Sequence, residues 1–219
     1  SKDPLALRRS AIGILNILRE KLHIGYEELV PVALEAYAEQ GIEFDAGAVC
    51  ASVCAFIKGR LEQMARDEKI DADTVAAVSA GSVSAPVDYF ALAHALKDAR
   101  DSDADTFDNL ATAYARASHL ADADLGVDVD ASLLGDAERE LLQASDAAQA
   151  AVDAAFSAKD FTAVIAALAG LRAPVDRFFD EVLVMDQDEA LRTNRLRLLN
   201  RFEAVFSDVA NIGELARKK

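Results

Sequence analysis

Aromatic residues and cysteine are scarce in this chain of 219 residues. Tryptophan is absent, aromatic side chains make up 6%, and there are two cysteines. Two cysteines in a chain of this length do not make the disulfide framework of a small secreted domain. The sequence also has no apolar run near the roughly 20 residues that a transmembrane helix requires, and no signal peptide is visible. We therefore expect a cytoplasmic protein with no membrane partner.

Positive charge is the second shortage. Lys and Arg number 23 against 38 Asp and Glu, which gives a formal net charge of −15. A protein that binds duplex DNA by neutralising phosphates is normally basic, so DNA is not an expected partner. Local recognition of a single-stranded loop stays open. The charge is uneven, because Asp is concentrated between residues 98 and 136 while Arg and Lys crowd the two ends.

Helix-forming residues are abundant instead, with many Ala, Leu, Glu and Arg and no convincing run of alternating β-branched residues. The predicted fold class is all-α, a multi-helix bundle of about eight to ten helices. Capping residues, glycines and prolines place these helices at about 4–22, 26–40, 45–68, 71–80, 87–100, 103–121, 136–158, 160–171, 175–185 and 188–206.

The first helix is amphipathic. Its predicted core face consists of Leu7, Ala11, Ile14, Leu15, Leu18 and Leu22. Its opposite side gathers Arg8, Arg9, Asn16 and Arg19. Two interpretations of this polar side stay open: a solvated surface, or a stripe that contacts phosphates, because few acidic residues lie beside these cations.

The last helix carries an arginine where an apolar residue is expected. Asp188 is a good N-cap, and the apolar face that follows is Leu191, Leu198, Leu199, Phe202, Val205, Phe206 and Val209. Arg195 falls inside this face. A buried guanidinium keeps its charge and needs a carboxylate or a ligand. The first-choice partners are Asp176 and Asp180, one turn apart on the preceding helix.

Few residues suggest a metal or a catalytic centre. Cys50 and Cys54 lie four apart on one helix, but a metal site needs about four ligands and the three histidines form no cluster. We interpret the two thiols as structural and expect no metal and no catalytic residue. The Asp-rich segment 120–135 matches a calcium loop poorly. It is predicted to be a solvated loop that lies away from any RNA-binding surface.

Three stretches resemble one family. Residues 188–196, DEALRTNRL, resemble the Asp-Ala-Leu-Arg signature of a helical anticodon-binding domain of aminoacyl-tRNA synthetases, with Glu189 where the signature has Asp. Residues 3–18, DPLALRRSAIGILNIL, and residues 174–192, PVDRFFDEVLVMDQDEALR, are similar to the β subunit of bacterial glycyl-tRNA synthetase. Phe56, Arg60 and Leu61 also fit this family. The resemblance covers essentially all 219 residues.

The resemblance implies a C-terminal piece of a longer chain, with leading helices in residues 1–100 and the core anticodon-binding bundle in residues 101–219. It implies recognition of the anticodon stem-loop of tRNA(Gly) in an enzyme that joins glycine to this tRNA. The active site, with ATP and Mg²⁺, would belong to a separate α subunit in a heterotetramer, so this chain would hold no cofactor. The expected tRNA contacts are Arg8, Arg9, Asn16, Arg19, Arg116, Arg192, Asn194 and Arg197.

A second hypothesis is a non-catalytic α-helical protein-interaction module that docks a partner through an Ala-rich groove. The acidic net charge and the weak aromatic content support it. The distribution of charge discriminates between the two hypotheses. Anticodon recognition requires that the basic ends converge on one surface, whereas an interaction module is expected to expose an apolar groove instead.

Overall fold

The computed structural model describes residues 4–217, which contain ten α-helices and no β-strand. The all-α prediction is confirmed. The helices are α1 (Leu7–Lys21), α2 (Tyr26–Glu39), α3 (Ala46–Asp67), α4 (Ala72–Ser79), α5 (Pro86–Ser102), α6 (Ala104–Leu120), α7 (Asp136–Ser157), α8 (Phe161–Ala169), α9 (Arg172–Glu181) and α10 (Glu189–Ala204). Short 3-10 turns occur at Pro4–Ala6, Ala123–Leu125, Ala131–Leu133 and Ile212–Arg217.

Aspartate caps set four of the helix starts that the sequence predicts. Asp45, Asp103, Asp160 and Asp188 each precede a helix, and each side chain accepts a hydrogen bond from a backbone N–H of the first turn. These N–H groups have no partner within the helix, so the caps satisfy them. Pro86 begins α5, where its fixed φ suits the first helical position.

The bundle is organised around α5, α6 and α7. Helix α5 packs against α1, α4 and α8, α6 packs against α9 and α10, and α7 packs against α8, α9 and α10. These three helices supply fully buried leucines, Leu92, Leu110 and Leu141. The apolar face predicted for the last helix is also buried from Leu198 onward. α10 therefore lies in the core with its signature residues at its N-terminal end.

The first helix differs from its prediction. The structure places the start of α1 at Leu7, after Leu5 and Ala6, which both have positive φ; Asp3, the predicted cap, lies outside the described residues. Half of the predicted core face is buried, as expected, but Leu7, Ile14 and Leu22 are exposed. The reason is that, among the described residues, α1 packs mainly against α3 and α5, which leaves its other apolar side chains uncovered.

Exposed apolar side chains are concentrated on the first three helices and their connections. Ile17 is 66% exposed, and Val32, Tyr37, Ile42 and Phe56 are also exposed. Many large exposed apolar side chains in one region are typical of a surface that contacts a partner. The surface formed by α1, α2 and α3 is therefore a second candidate region for contact, separate from the signature helix.

Residues 208–217 cross back to the first half of the chain. The Ser82 backbone N–H donates to the Asp208 carbonyl oxygen at 3.2 Å, and the Asn211 N–H donates to the Ala77 carbonyl oxygen at 2.9 Å. The final 3-10 turn packs against both α4 and α6. The proposed division at residues 100 and 101 stays a prediction, and α5 runs through it.

A partly buried carboxyl group links α10 to α6. Glu203 accepts a hydrogen bond from the Ser118 hydroxyl, and burial raises the pKa of Glu203 above its ordinary value. A raised pKa means that the folded state holds this proton more tightly than the unfolded chain. The folded state is therefore destabilised as the pH rises from the ordinary carboxyl pKa to the higher pKa of the folded state, because Glu203 ionises less readily in the folded state.

Glu203→Gln should remove this pH-dependent loss. Glutamine keeps an oxygen that can accept from Ser118 but has no charge to bury. We expect the variant to be more stable than the parent in urea unfolding at pH 7. The difference should disappear near pH 4, about the ordinary carboxyl pKa, as the parent carboxyl becomes protonated. A stability difference that is equal at both pH values would contradict the assignment.

Candidate nucleic-acid interface

Arg195 lies in an ion-pair network that joins α10 to the start of α7. Its Nε donates to Glu138 at 2.7 Å, and one terminal nitrogen donates to Asp186 at 2.7 Å and to the Leu183 carbonyl oxygen at 2.9 Å. The side chains of Arg195 and Glu138 are only 13% and 5% exposed. Glu138 also accepts from the Gly135 N–H, so both ends of the pair are held within the fold.

The predicted partners of Arg195 are wrong. Asp176 instead pairs with Arg172 on its own helix at 3.3 Å, and Asp180 is exposed. The physical reason is that α10 packs against α7, whose first turn buries Glu138 beside Arg195. One local clue points to Glu138: as the third residue of its helix, it caps the helix start at Gly135. Nothing in the sequence connects it with a residue 57 positions later.

Arg192 holds the connection between α9 and α10, which is residues 182–188. One of its terminal nitrogens donates to the Asp186 carbonyl oxygen at 2.8 Å. Arg192 and Arg195 thus fix the same short segment by three of its oxygen atoms. A contact between Arg192 and RNA stays a prediction, and the structure gives this side chain a positioning role within the fold.

Polar residues on another edge of α10 hold the Asp-rich segment. Asn194 is 3% exposed. Its oxygen accepts from the Asp130 N–H at 2.7 Å, and its nitrogen donates to the Asp130 carbonyl oxygen at 3.0 Å. Arg197 Nε donates to the Leu125 carbonyl oxygen at 3.1 Å. Asn200 donates to two further carbonyl oxygens of the same segment.

Two predictions are corrected by this arrangement. The Asp-rich segment does not lie away from the predicted binding surface, because it covers Asn194 and Arg197, two of the expected tRNA contacts. Asn194 is buried and its amide is bonded at both ends, so it is not available to read a base. The physical reason is that a coil segment needs partners for its backbone groups, and these side chains supply them.

Arg19 is also committed to a structural contact. One nitrogen donates to Glu68 at 2.8 Å, a second nitrogen pairs with the same carboxylate, and the guanidinium lies 3.5 Å from the centre of the Phe90 ring. The hydrogen bond from Arg19 lowers the pKa of Glu68, with a smaller contribution from His94. In the structure Arg19 therefore makes an ion pair between α1 and the end of α3, and its contact with tRNA stays a prediction.

The remaining candidates on α1 are Arg8, Arg9 and Asn16, which are all exposed. Helix α1 packs against α3 and α5, whereas α10 packs against α6 and α7. The predicted contacts near the two ends of the chain therefore lie on helices that pack against different helices of the bundle. A role of these three side chains in RNA binding stays a prediction.

Arg116 is an exposed cation beside an apolar groove. Its guanidinium carbon lies 4.2 Å from the centre of the Phe179 ring, and it takes part in no ion pair within residues 4–217. The groove has a volume of about 460 Å³ and lies between α6 and the connection 182–188. On α6, His119 lines it together with Arg116; on the connection, Leu183 and Met185 do so. We name this feature the α6 groove.

Residues 4–217 contain no group of three or more His, Cys, Asp or Glu side chains placed to hold a metal ion. Cys50 and Cys54 are partly buried on α3. Burial, with a hydrogen bond to Cys50, raises the pKa of Cys54 to about 11, so this thiol is protonated at neutral pH. Within the same described range, no helix has the length and apolar character needed to cross a membrane.

Two family models match this chain, one in its first half and one in its second half. A family model described as the glycyl-tRNA synthetase beta subunit matches residues 1–80. A second, described as the DALR anticodon binding domain, matches residues 110–212, which include Arg116, the α6 groove and the whole of α10.

Curated relatives agree with these matches. The glycine–tRNA ligase beta subunit of Acinetobacter baylyi is 38% identical over 98% of this chain and 31% of its own length. The beta subunit of Alteromonas mediterranea is 37% identical over 99% of this chain, and that of Aliivibrio fischeri is 36% identical over 98%. The chain spans about a third of the length of these relatives. It belongs to the glycyl-tRNA synthetase β-subunit family.

Proposed function

We propose that this chain recognises the anticodon stem-loop of tRNA(Gly) as part of a glycyl-tRNA synthetase. The observation that carries the proposal is the match of residues 110–212 to the DALR anticodon binding domain, in a chain whose full length resembles glycine–tRNA ligase beta subunits. The rest of the enzyme would join glycine to the 3′ end of the bound tRNA. This chain would hold the RNA and perform no chemical step.

The physical properties of the chain suit a local contact with RNA. With a net charge of −15, it cannot rely on general attraction to phosphates. Anticodon bases are unpaired, so they can be turned outward and read by stacking and by hydrogen bonds at their edges. An exposed arginine such as Arg116 can bond a phosphate or stack on a base. Recognition would therefore depend on a few well-placed side chains.

Binding of the chain to a tRNA(Gly) anticodon stem-loop is the direct test. Fluorescence anisotropy at about 50 mM and about 200 mM salt should show binding that weakens as salt rises, because phosphate contacts release counterions. A stem-loop with the same stem and a substituted anticodon is the matched competitor. It should displace the labelled RNA at least about tenfold less well, since a mismatched base contact typically changes affinity by this order.

Equal competition by the two stem-loops would reduce the interaction to non-specific RNA binding and contradict the proposal. Absence of binding at the lower salt concentration, in both this chain and a full-length β subunit that contains it, would also contradict it. Binding by the full-length subunit alone would keep the anticodon role and assign part of the affinity to regions outside these 219 residues.

A second candidate function is a protein-interaction module. The observation that favours it is the exposed apolar surface of α1, α2 and α3, which includes Ile17 and Val32. Both residues lie outside the matched anticodon-binding region, residues 110–212, so substitutions there can test the two functions separately. Ile17→Ser with Val32→Ser should impair association with a protein partner while leaving stem-loop affinity unchanged.

The family membership supports further proposals about the assembly. We place glycine activation, with ATP and Mg²⁺, on a separate α subunit, so that this chain itself holds no cofactor. The α subunit and tRNA(Gly) are the proposed partners, in a heterotetramer located in the cytoplasm. The name of the relatives as beta subunits of a glycine–tRNA ligase supports this assignment.

A further inference from the structure

We propose that the α6 groove binds one unstacked base of the RNA loop, with Leu183 and Met185 as the apolar platform and Arg116 as the cationic side. This inference rests on the proposed anticodon function and specifies where on the surface one base is held. The family match covers about a hundred residues and does not itself distinguish this groove from any other surface of the domain.

The platform consists of two apolar side chains that the fold turns outward. Leu183 and Met185 are 71% and 56% exposed, whereas Val184 between them is buried. Alternation of this kind fixes the direction of both exposed side chains, because Val184 anchors the segment in the core. Large exposed apolar side chains beside one another carry a hydration cost that a bound ligand would remove.

The segment that carries the platform is held at several points. Arg195 donates to the Leu183 carbonyl oxygen and to the Asp186 carboxylate, and Arg192 donates to the Asp186 carbonyl oxygen. The Asp186 N–H donates to the Val184 carbonyl oxygen at 3.0 Å, which closes a tight turn. The signature arginines therefore prepare the platform before any ligand arrives, which reduces the entropy lost on binding.

The Arg116 side chain is also held in position before a ligand binds. The Phe179 ring lies 4.2 Å from the Arg116 guanidinium and holds it as a planar group at the groove. By contrast, carboxylates or carbonyl oxygens engage the guanidinium groups of Arg19, Arg192, Arg195 and Arg197. Arg116 pairs with no carboxylate in the described part of the chain and keeps its charge available for an anionic partner.

The chemistry of the groove fits a nucleotide. A base has an apolar face that can lie on aliphatic side chains, and its attached phosphate is anionic, which matches an apolar platform flanked by arginine and histidine. A volume of about 460 Å³ admits a single base. A protein segment could cover the apolar platform, but it would give Arg116 no phosphate to bond.

The test compares two variants with two matched controls. Leu183→Ala with Met185→Ala removes the platform, and Arg116→Ala removes the cation. Ile17→Ala, also an exposed aliphatic residue, and Arg139→Ala, whose side chain is 50% exposed, are the controls. The probe is the tRNA(Gly) anticodon stem-loop, together with stem-loops that carry an abasic site at each loop position in turn.

We expect each groove variant to weaken stem-loop binding on the order of tenfold, while both controls bind as the parent does. One abasic position should weaken binding to the parent and have no further effect on the platform variant, because the same contact is lost in both. Circular dichroism should show unchanged helicity in all four variants, since the substituted side chains lie at the surface.

The outcomes separate the inference from the proposed function. Parent-like binding by the groove variants, with anticodon selectivity intact, would overturn the groove and leave the function standing; this is also the result expected if a protein segment occupies the groove. If every abasic stem-loop bound the platform variant more weakly by the same factor, the groove proposal would also be overturned. Failure of both the parent chain and a full-length β subunit that contains it to bind any stem-loop would overturn both.

Discussion

Replacing Arg195 with alanine is expected to lower the free energy of unfolding by about 3–5 kcal/mol, because it leaves the buried Glu138 carboxylate without its cationic partner. The loss should be measured by urea unfolding at pH 7, with circular dichroism as the probe. The substitution also frees Asp186 and the Leu183 carbonyl oxygen, so the connection 182–188 should become more accessible to protease.

Two companion variants make this prediction specific. Arg195→Ala combined with Glu138→Gln removes the uncompensated charge and should recover part of the lost stability, as a double-mutant cycle requires for a direct pair. Arg177→Ala is the surface control, because Arg177 pairs with Glu140 and Glu181 in solvent and should change the unfolding midpoint little. Equal losses in Arg195→Ala and Arg177→Ala would refute the buried pair.

Gly81→Ala is expected to lower stability by about 1–3 kcal/mol through overpacking. A Cβ atom at Gly81 would lie 2.4 Å from the Val209 carbonyl oxygen. This oxygen belongs to the backbone and cannot rotate away, so residues 208–211 would have to move. That movement would break the hydrogen bonds that join Ser82 to Asp208 and Asn211 to Ala77.

Gly59→Ala is the matched control, because its Cβ would meet nothing within 4 Å in the middle of α3. In a helix interior, alanine is favoured over glycine by roughly 0.5–1 kcal/mol, so this variant should gain stability. The two substitutions add the same methyl group with opposite expected signs. A gain or no change in Gly81→Ala, measured by urea unfolding, would show that residues 208–217 do not press on the end of α4.

Helix number and order could be predicted from the sequence because their causes are local. Caps such as Asp45 and Asp188, and breaks at Gly25 and Pro86, act within one turn of the chain. Amphipathic spacing could show that Arg195 faces the core. It could not identify the carboxylate that meets it, since Glu138 arrives there through the packing of α7 on α10, 57 residues away.

The RNA-binding candidates show the same limit. A polar side chain on a helix surface has the same sequence pattern whether it meets solvent, RNA or another part of the protein. Asn194 and Arg197 leave the apolar face of α10, which makes them candidates, yet the structure uses them to hold the backbone of the Asp-rich segment. The sequence pattern does not reveal the α6 groove, because it predicts a helix through Leu183 and Met185, whereas α9 ends at Glu181.

The return of residues 208–217 to α4 affects the order in which this protein can fold during synthesis. A ribosome delivers α4 roughly a hundred residues or more before the segment that covers it. Contacts so distant in sequence form late and slow the overall rate. Until then, the side of α4 that this segment covers stays exposed on the nascent chain, where a chaperone can bind it. The core around α4 therefore depends on a segment that is synthesised long after α4 itself.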